Sequence, residues 1–145
     1  MTSKTIIQKI VLAGIVFNKQ DKVLLLQRSA DEDIYPEMWE LPSGKRKFFE
    51  SSHNSLIREI KEETGLDVKI IQPCSVFEYK IEKPTEIRDS TQINFIVTSE
   101  SSEVNLSDEH QNFAWISESE IEKYDMSDET KKTIRSAFNL HPKVS

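Results

Sequence analysis

The stretch GKRKFFESSHNSLIREIKEETGL, residues 44–66, holds the strongest structural signal in this chain. Its second part predicts a helix that ends near Thr64, because Ser51 or Ser52 can cap the first turn by accepting a backbone N–H bond. Gly65 stands where a helix C-terminus often takes a left-handed residue. The apolar residues of the segment recur on one helical face: Leu56, Ile57 and Ile60. The segment therefore predicts an amphipathic helix packed on a core.

Three carboxylates lie at the edge of that apolar face: Glu59, Glu62 and Glu63. Residues three and four apart are neighbours on a helix, so Glu59 lies beside the other two. A like-charge pair costs an exposed helix roughly 0.2–0.5 kcal/mol, and the cost rises near a protein wall, where the dielectric is lower. Oxygen ligands suit Mg²⁺, which is commonly held by one or two carboxylates together with substrate phosphates. The cluster is therefore a candidate site for a hard cation.

The same residues have a second interpretation, a solvated acidic helix face. Arg58 can pair with Glu62 at i,i+4, and Lys61 can neutralise part of the remaining charge. Charged helix faces are common, so these residues taken alone favour the solvated face over a metal site.

Length and composition narrow the class of protein. The 145 residues predict one domain, and 37% hydrophobic with 30% charged residues is a globular composition. The net charge of −6 argues against binding to nucleic acid or to an anionic membrane, and a polyanionic substrate would need bound cations. Cys74 cannot form an internal disulfide, no signal peptide is visible, and the apolar run 10–17 is far short of the roughly 20 residues of a membrane span. The cytoplasm is the expected compartment.

Hydrophobic patterning around the helix predicts an α/β domain with a mixed sheet between helices. Residues 6–17 and 22–28 predict a hairpin, and residues 29–47 predict a loop without regular structure. The remaining segments are predicted as follows: one or two strands in 66–81, strands in 90–99 and 112–116, a brief capped helix from 117, and an amphipathic helix over 127–140.

The spacing of the whole stretch 44–66 resembles the Nudix box, because it reads G-x5-E-x7-R-E-I-x-E-E-x-G-L. The segments LLLQR (24–28), WELPSGK (39–45) and EHQNFAWIS (109–117) are also similar to segments of many family members. The resemblance covers about residues 12–121 and is to the MutT-like Nudix hydrolases. It implies the Nudix fold, an α/β/α sandwich with a mixed central sheet, formed by a single domain over residues 1–145.

By this resemblance, Glu59, Glu62 and Glu63 hold a divalent cation, Mg²⁺ with Mn²⁺ as a substitute, and Glu59 is also the candidate base. The remaining implied roles are these: Arg58 fixes an adjacent carboxylate such as Glu50, the Ser43 carbonyl adds a ligand, Glu109 or its neighbour Asp108 supplies a further ligand or base, and Arg28 and Lys45 meet phosphates.

The chain also departs from the family pattern. Ser43 replaces a glycine, and Phe49 replaces a residue that eases a turn, so the loop is expected to follow a different path. Phe48 and Phe49 are candidates for a dimer contact or a base-stacking wall, with core packing as the alternative. Other positions are expected to be ordinary: Trp39 seals the core or stacks on a base, His53, His110 and His141 are polar positions, Cys74 packs, and Asp128 reads a base or opens a helix.

The expected function is Mg²⁺-dependent hydrolysis of a nucleoside diphosphate linked to a group X. The leading substrate class is an ordinary or oxidised nucleoside triphosphate, cleaved to monophosphate and pyrophosphate. The expected partner is therefore a small nucleotide, without nucleic acid or membrane, and a homodimer is left open. Two alternatives are a non-catalytic nucleotide sensor and an enzyme that processes RNA 5′ ends, the second being disfavoured by the negative charge.

Overall fold

The computed structural model describes residues 3–141, and within this range it contains seven strands and two α-helices. The elements are β1 Thr5–Phe17, β2 Val23–Arg28, β3 Trp39–Glu40, β4 Ser43–Lys45, α1 Ser52–Thr64, β5 Val68–Glu82, β6 Glu86–Ser99, β7 His110–Ile116, a 3₁₀ helix Glu118–Lys123 and α2 Asp128–Leu140. The sheet is mixed, as predicted. No helix within residues 3–141 is long and apolar enough to cross a membrane.

Strand β1 is the centre of the sheet. It pairs in parallel with β6 along its whole length, and β6 pairs antiparallel with β5. The predicted hairpin between β1 and β2 is present at its turn, where Phe17 pairs with Val23. Beyond the turn the two strands separate, since β1 pairs with β4 at Val11–Ala13 while β2 pairs with β3 and β7.

The core lies on both faces of the sheet, because successive residues of β1 point to opposite sides. Leu12 and Val16 pack with Leu56 and Ile60 of α1. The other face carries a second buried cluster, which includes Ala13, Ile15 and Phe17 of β1 and Ile134 and Ala137 of α2. Full burial of each large aliphatic side chain contributes about 1.5–3 kcal/mol. The two clusters fix α1 and α2 on opposite faces, which confirms the predicted α/β/α sandwich.

Helix α1 follows the predicted boundaries. The Ser51 hydroxyl accepts a hydrogen bond from the Asn54 N–H at 3.1 Å and caps the first turn. At the other end Gly65 has φ 76° and donates its N–H to the Lys61 carbonyl. Both caps satisfy backbone groups that the helix itself leaves without partners.

One prediction about the strands needs correction. The segment predicted as a loop, 29–47, contains the short strands β3 and β4, whose pairing to β2 and β1 was not visible in their local sequence. Of the one or two strands predicted for 66–81, the structure has one, and it continues to Glu82. Register shifts between Ile70 and Gln72 and between Pro73 and Ser75 explain why its hydrophobic alternation is mixed.

One end of the sheet extends beyond the helices. The first part of β1, residues 5–10, is exposed or half-buried, whereas residues 11–17 are buried. The paired parts of β5 and β6 are likewise partly exposed. This extension supplies the floor of the cavity described below.

Candidate active site

Glu63, in the last turn of α1, is a buried carboxylate at the centre of the site. It is 7% exposed, and its Oε1 accepts a hydrogen bond from the Ser43 N–H of β4 at 2.9 Å. Burial raises the pKa of Glu63 to about 9, against the opposing effect of the Ser43 hydrogen bond. The nearby carboxylates of Glu40, Glu109 and Glu59 add to the increase in pKa. A cation at this position would favour the ionised form.

Glu109 and His110 meet Glu63 from the start of β7. One ligand atom from each of the three residues lies within 4.8 Å of the others. The Glu109 carbonyl accepts a hydrogen bond from the Ser29 N–H at 3.2 Å, and His110 pairs with Arg28 across the β2–β7 ladder. This strand pairing places the exposed Glu109 side chain over the buried end of α1.

The His110 side chain is buried, 2% exposed, and its two ring nitrogens have different surroundings. Its Nε2 lies 2.8 Å from Glu40 Oε2, while Nδ1 is buried without a hydrogen-bond partner among residues 3–141. A carboxylate bonded to one ring nitrogen fixes the orientation of the imidazole, as in metal sites where such a carboxylate supports a histidine ligand. Glu40 and His110 therefore form a rigid wall behind Glu63 and Glu109.

Arg28 holds the loop that follows β2. Its Nε donates to the Ile34 carbonyl at 3.0 Å, and its terminal nitrogens lie 3.3 Å from Glu32 and 3.4 Å from Glu40. The guanidinium thus links the loop to the carboxylate that orients His110.

Arg58 connects the carboxylates on the outer side of α1. Its Nε and Nη2 donate to both oxygens of Glu50, at 3.1 and 3.0 Å, and Nη1 lies 2.8 Å from Glu59 and 3.3 Å from Glu62. The two-point contact with Glu50 ties the loop before α1 to the helix.

Gly44 makes room for Glu59. A Cβ atom added to Gly44 would overlap the carboxylate end of the Glu59 side chain. Any residue other than glycine would therefore force Glu59 away from β4.

The site opens into a cavity of about 640 Å³ on the α2 side of the extended sheet. Glu63 and Glu109 line it together with Lys45, Trp39 and the N-terminal turn of α2. Aromatic and basic residues of β5 and β6 form part of its floor: Phe77, Tyr79 and Arg88. A cavity of this size can hold a nucleotide beside the carboxylates.

Comparison with known proteins identifies the family. The NUDIX domain model matches residues 8–137. The chain belongs to the Nudix family. Nucleoside triphosphatase NudI of Escherichia fergusonii is 26% identical over 135 residues, which cover 88% of this chain and 94% of the relative.

Solved structures agree with the Nudix fold. The MutT protein of Methanosarcina mazei Go1 superposes with a TM-score of 0.72 at 21% identity, covering 99% of this chain and 100% of that one. The NUDIX domain of Shewanella oneidensis NrtR, solved with ADP-ribose, gives 0.72 at 15% identity, covering 97% and 90%.

Within the Nudix box, the three predicted metal ligands occupy different environments. Glu63 lies in the tight cluster with Glu109, while Glu59 lies against Gly44 and contacts Arg58. The Glu62 side chain is 58% exposed and faces Arg58. The structure places Glu109 beside Glu63, and the neighbouring Asp108 is exposed and outside the cluster.

The residues present fit a divalent cation. Two carboxylates and an imidazole converge, one carboxylate is buried with a raised pKa, and a ring nitrogen lacks a partner among the described residues. Oxygen donors suit Mg²⁺, and an imidazole nitrogen adds preference for cations such as Mn²⁺.

The two predicted phosphate-binding residues both line the cavity but differ in availability. Lys45 is exposed, whereas the Arg28 guanidinium is held by Glu32 and Glu40. Trp39 both seals the core, through an edge contact with Tyr124 at 4.9 Å, and lines the cavity.

Two other histidines contact aromatic rings. His53 meets Phe95 edge-on, and His141 stacks on Phe17 at 3.9 Å. His110 differs from them: it was predicted as an ordinary polar position, and the structure places it in a cluster with Glu63 and Glu109 that could hold a metal. The sequence indicated a role for His110 only through its position next to the predicted ligand Glu109. Its contact with Glu40 could not be predicted, because strand pairing creates it.

The loop before α1 also differs from expectation. Core packing of the two phenylalanines is excluded, because Phe48 is 92% and Phe49 100% exposed. Phe49 adopts φ 64°, the left-handed conformation that glycine favours, despite its side chain. Neither ring is among the described residues that line the cavity.

Proposed function

We propose that the protein hydrolyses ordinary or oxidised nucleoside triphosphates to nucleoside monophosphate and pyrophosphate, with Mg²⁺ as cofactor. Family membership makes the chain a Nudix pyrophosphohydrolase. The convergence of Glu63, Glu109 and His110 at the cavity is the observation that supports the proposed chemistry most strongly. The triphosphate substrate is proposed from the name of the NudI relatives.

A divalent cation held by Glu63 and Glu109, with His110 in the same cluster and Glu59 near Glu63, would lower the pKa of a bound water and stabilise charge on phosphate oxygens. Mg²⁺ is the proposed ion, and the imidazole of His110 favours Mn²⁺ as a substitute. The backbone of Ser43 has its N–H committed to Glu63, which leaves its carbonyl as a candidate ligand.

Glu59 is the proposed base. Arg58 contacts its carboxylate at 2.8 Å and holds it next to β4. The water oxygen forms a bond to the α-phosphorus, and the bond between that phosphorus and the bridging oxygen breaks. Pyrophosphate leaves with the bridging oxygen, and the water proton passes to Glu59 and then to solvent. Lys45 and the cavity walls position the phosphates, so orientation and electrostatic stabilisation supply most of the rate increase.

The test is a panel of nucleoside triphosphates, oxidised nucleotides, nucleotide sugars, ADP-ribose and dinucleoside polyphosphates, incubated with Mg²⁺ and separated by chromatography. Glu109→Gln is the active-site variant, and Asp108→Asn is its matched control, because Asp108 is exposed and outside the cluster. Cleavage of triphosphates by wild type and Asp108→Asn, with large loss in Glu109→Gln, supports the proposal.

The sensor alternative predicts a different result from the same panel. A sensor would bind a nucleotide tightly without turnover of any compound, and Glu109→Gln would change only the affinity. The retention of every charged residue of the Nudix box favours the enzyme.

A homodimer through Phe48 and Phe49 remains a proposal, motivated by two exposed rings whose centroids are 6.3 Å apart. Light scattering of wild type and of the double variant Phe48→Ser, Phe49→Ser tests it. A dimeric mass that becomes monomeric supports the dimer, and equal masses remove it.

A further inference from the structure

Four basic residues form a cluster at the outer end of the cavity: Lys9, Lys45, Lys83 and Arg88. On β1, Val11 pairs with Lys45 of β4, and Ile7 pairs with Arg88 of β6. Lys9 stands between Ile7 and Val11 with its side chain on the same face of the sheet, because strand residues two apart share a face. Lys45, Lys83 and Arg88 line the cavity itself.

The cluster holds more positive charge than its neighbours neutralise. Arg88 pairs with Glu86 at 2.7 Å, but among residues 3–141 no ion pair involves Lys9, Lys45 or Lys83. Partial desolvation in the cavity wall lowers the pKa of Lys45, and the nearby charges of Arg88, Lys9 and Lys83 lower it further. Such repulsion inside a chain of net charge −6 is relieved when an anion binds.

Strand β4 sets the position of the basic cluster relative to the active-site carboxylates. Ser43, which donates to Glu63, is two residues from Lys45 on β4, so the carboxylate cluster lies next to the basic cluster.

The segment after β2 gives another part of the cavity wall a different chemistry. Trp39 and Tyr35 offer aromatic surface that suits a nucleoside, while the Arg28 guanidinium beside them is held by Glu32 and Glu40. Glu40 also bonds His110, so this wall borders the carboxylate cluster from a second side. The basic cluster is therefore the part of the lining whose positive charge is free to meet phosphates among residues 3–141.

We propose that Lys9, Lys83 and Arg88, together with Lys45, bind the terminal phosphates of the substrate, so that the protein prefers nucleotides with a free terminal phosphate over those whose diphosphate ends in a neutral sugar. This inference rests on the proposed function and assigns the residues that select its triphosphate substrates. The basic groups would hold the leaving pyrophosphate, on which negative charge accumulates as the phosphorus–oxygen bond breaks.

The test compares UTP with UDP-glucose, which share the nucleoside diphosphate and differ in the terminal group. The double variant Lys9→Gln, Arg88→Gln removes two charges from the cluster. Lys80→Gln is the charge control, since Lys80 pairs with Asp89 and lies on the opposite face of the same strands. Circular dichroism checks that each variant is folded, and Lys83→Gln, in the turn between β5 and β6, provides an independent variant.

The expected result is a tenfold or larger increase in KM for UTP in the double variant, at least five times the increase for UDP-glucose, with a smaller effect of the same kind in Lys83→Gln. Equal changes for both substrates, or a Lys80→Gln effect of the same size, would overturn the inference.

Calorimetry with inorganic tripolyphosphate and Mg²⁺ separates this inference from the proposed function. Tripolyphosphate binding to wild type that weakens tenfold in the double variant supports the basic subsite, even if no nucleotide is cleaved. Binding that is absent in wild type or unchanged in the double variant contradicts it, even if triphosphates are cleaved.

Discussion

The two segments that flank α1 each contain a residue in the left-handed backbone conformation, but the residue types are very different. Gly65 has φ 76° directly after the last turn, and Phe49, two residues before the N-cap Ser51, has φ 64°. The C-terminal end carries the buried Glu63, while Phe49 is fully exposed. Glycine suits the left-handed conformation of Gly65, whereas phenylalanine does not suit that of Phe49. The loop that contains Phe49 is held by Arg58, which donates two hydrogen bonds to the neighbouring Glu50. The helix is thus determined by local sequence, and the loop by its contacts.

The largest expected effect is a loss of catalytic rate on substitution of Glu59, which lies in α1 between these two segments. Glu59→Gln should lower kcat for the best nucleotide by roughly 10²–10⁴-fold, because a neutral amide cannot accept the proton from water. Steady-state kinetics measure the loss. Glu103→Gln, an exposed glutamate outside the site, is the control and should keep wild-type kcat. Loss of less than tenfold in Glu59→Gln would assign the base to another residue.

Gly44→Ala should reproduce most of that loss without unfolding the protein. The added Cβ displaces the flexible Glu59 side chain, which can move toward solvent, so the cost in stability should be at most about 1–3 kcal/mol. Because both substitutions act through Glu59, the double variant Gly44→Ala, Glu59→Gln should be no slower than Glu59→Gln. Multiplicative losses in this double-mutant cycle would show that Gly44 acts independently.

The buried end of α1 should make the metal-free protein sensitive to pH. The pKa of Glu63 rises from an ordinary 4.5 to about 9 on folding, so between these values the unfolded chain releases a proton that the folded protein retains. Stability should therefore fall as pH rises from about 4.5 to 9 in the presence of EDTA. Urea unfolding measures the slope, and Glu63→Gln should flatten it.

Adding Mg²⁺ is the control for the pH experiment. A bound cation favours the ionised carboxylate, so Mg²⁺ should restore stability at the high end of the range. A pH slope that is identical in wild type and Glu63→Gln would contradict the assignment to Glu63.

The smallest expected effects come from the two left-handed residues. Phe49→Gly should stabilise the protein by at most about 1 kcal/mol, since glycine adopts the left-handed conformation without strain and the fully exposed ring contributes little packing. Gly65→Ala should destabilise it by about 1 kcal/mol at a comparable φ. Thermal unfolding compares the pair, and a destabilising Phe49→Gly would reveal that the phenylalanine makes a stabilising contact.

Sequence alone predicted the parts that local rules determine. The caps of α1 and the positions of Glu59 and Glu63 follow from residue types and spacing within one segment. The role of His110 could not be predicted in this way, because its partner Glu40 is brought near by the pairing of β2 with both β3 and β7. The basic cluster likewise depends on the parallel register of β1 and β6, which joins Ile7 to Arg88.

The exposure of Phe48 could not be predicted for a related reason. An apolar pair in a sequence indicates burial on average, but burial requires a neighbouring element to cover it. Here no neighbouring element within residues 3–141 covers the Phe48 ring, which is 92% exposed. The hydrophobic pattern gives no information about that neighbour.

Mn²⁺ binding, measured by calorimetry on EDTA-treated protein without nucleotide, tests most directly whether Glu63 and Glu109 form a cation site. Wild type should bind Mn²⁺ more tightly as pH rises, because the cation competes with the proton on Glu63. Glu63→Gln and Glu109→Gln should each weaken binding at least tenfold, while Asp108→Asn keeps the wild-type affinity. Equal affinity in wild type and Glu63→Gln would contradict the central claim that this buried carboxylate holds the metal.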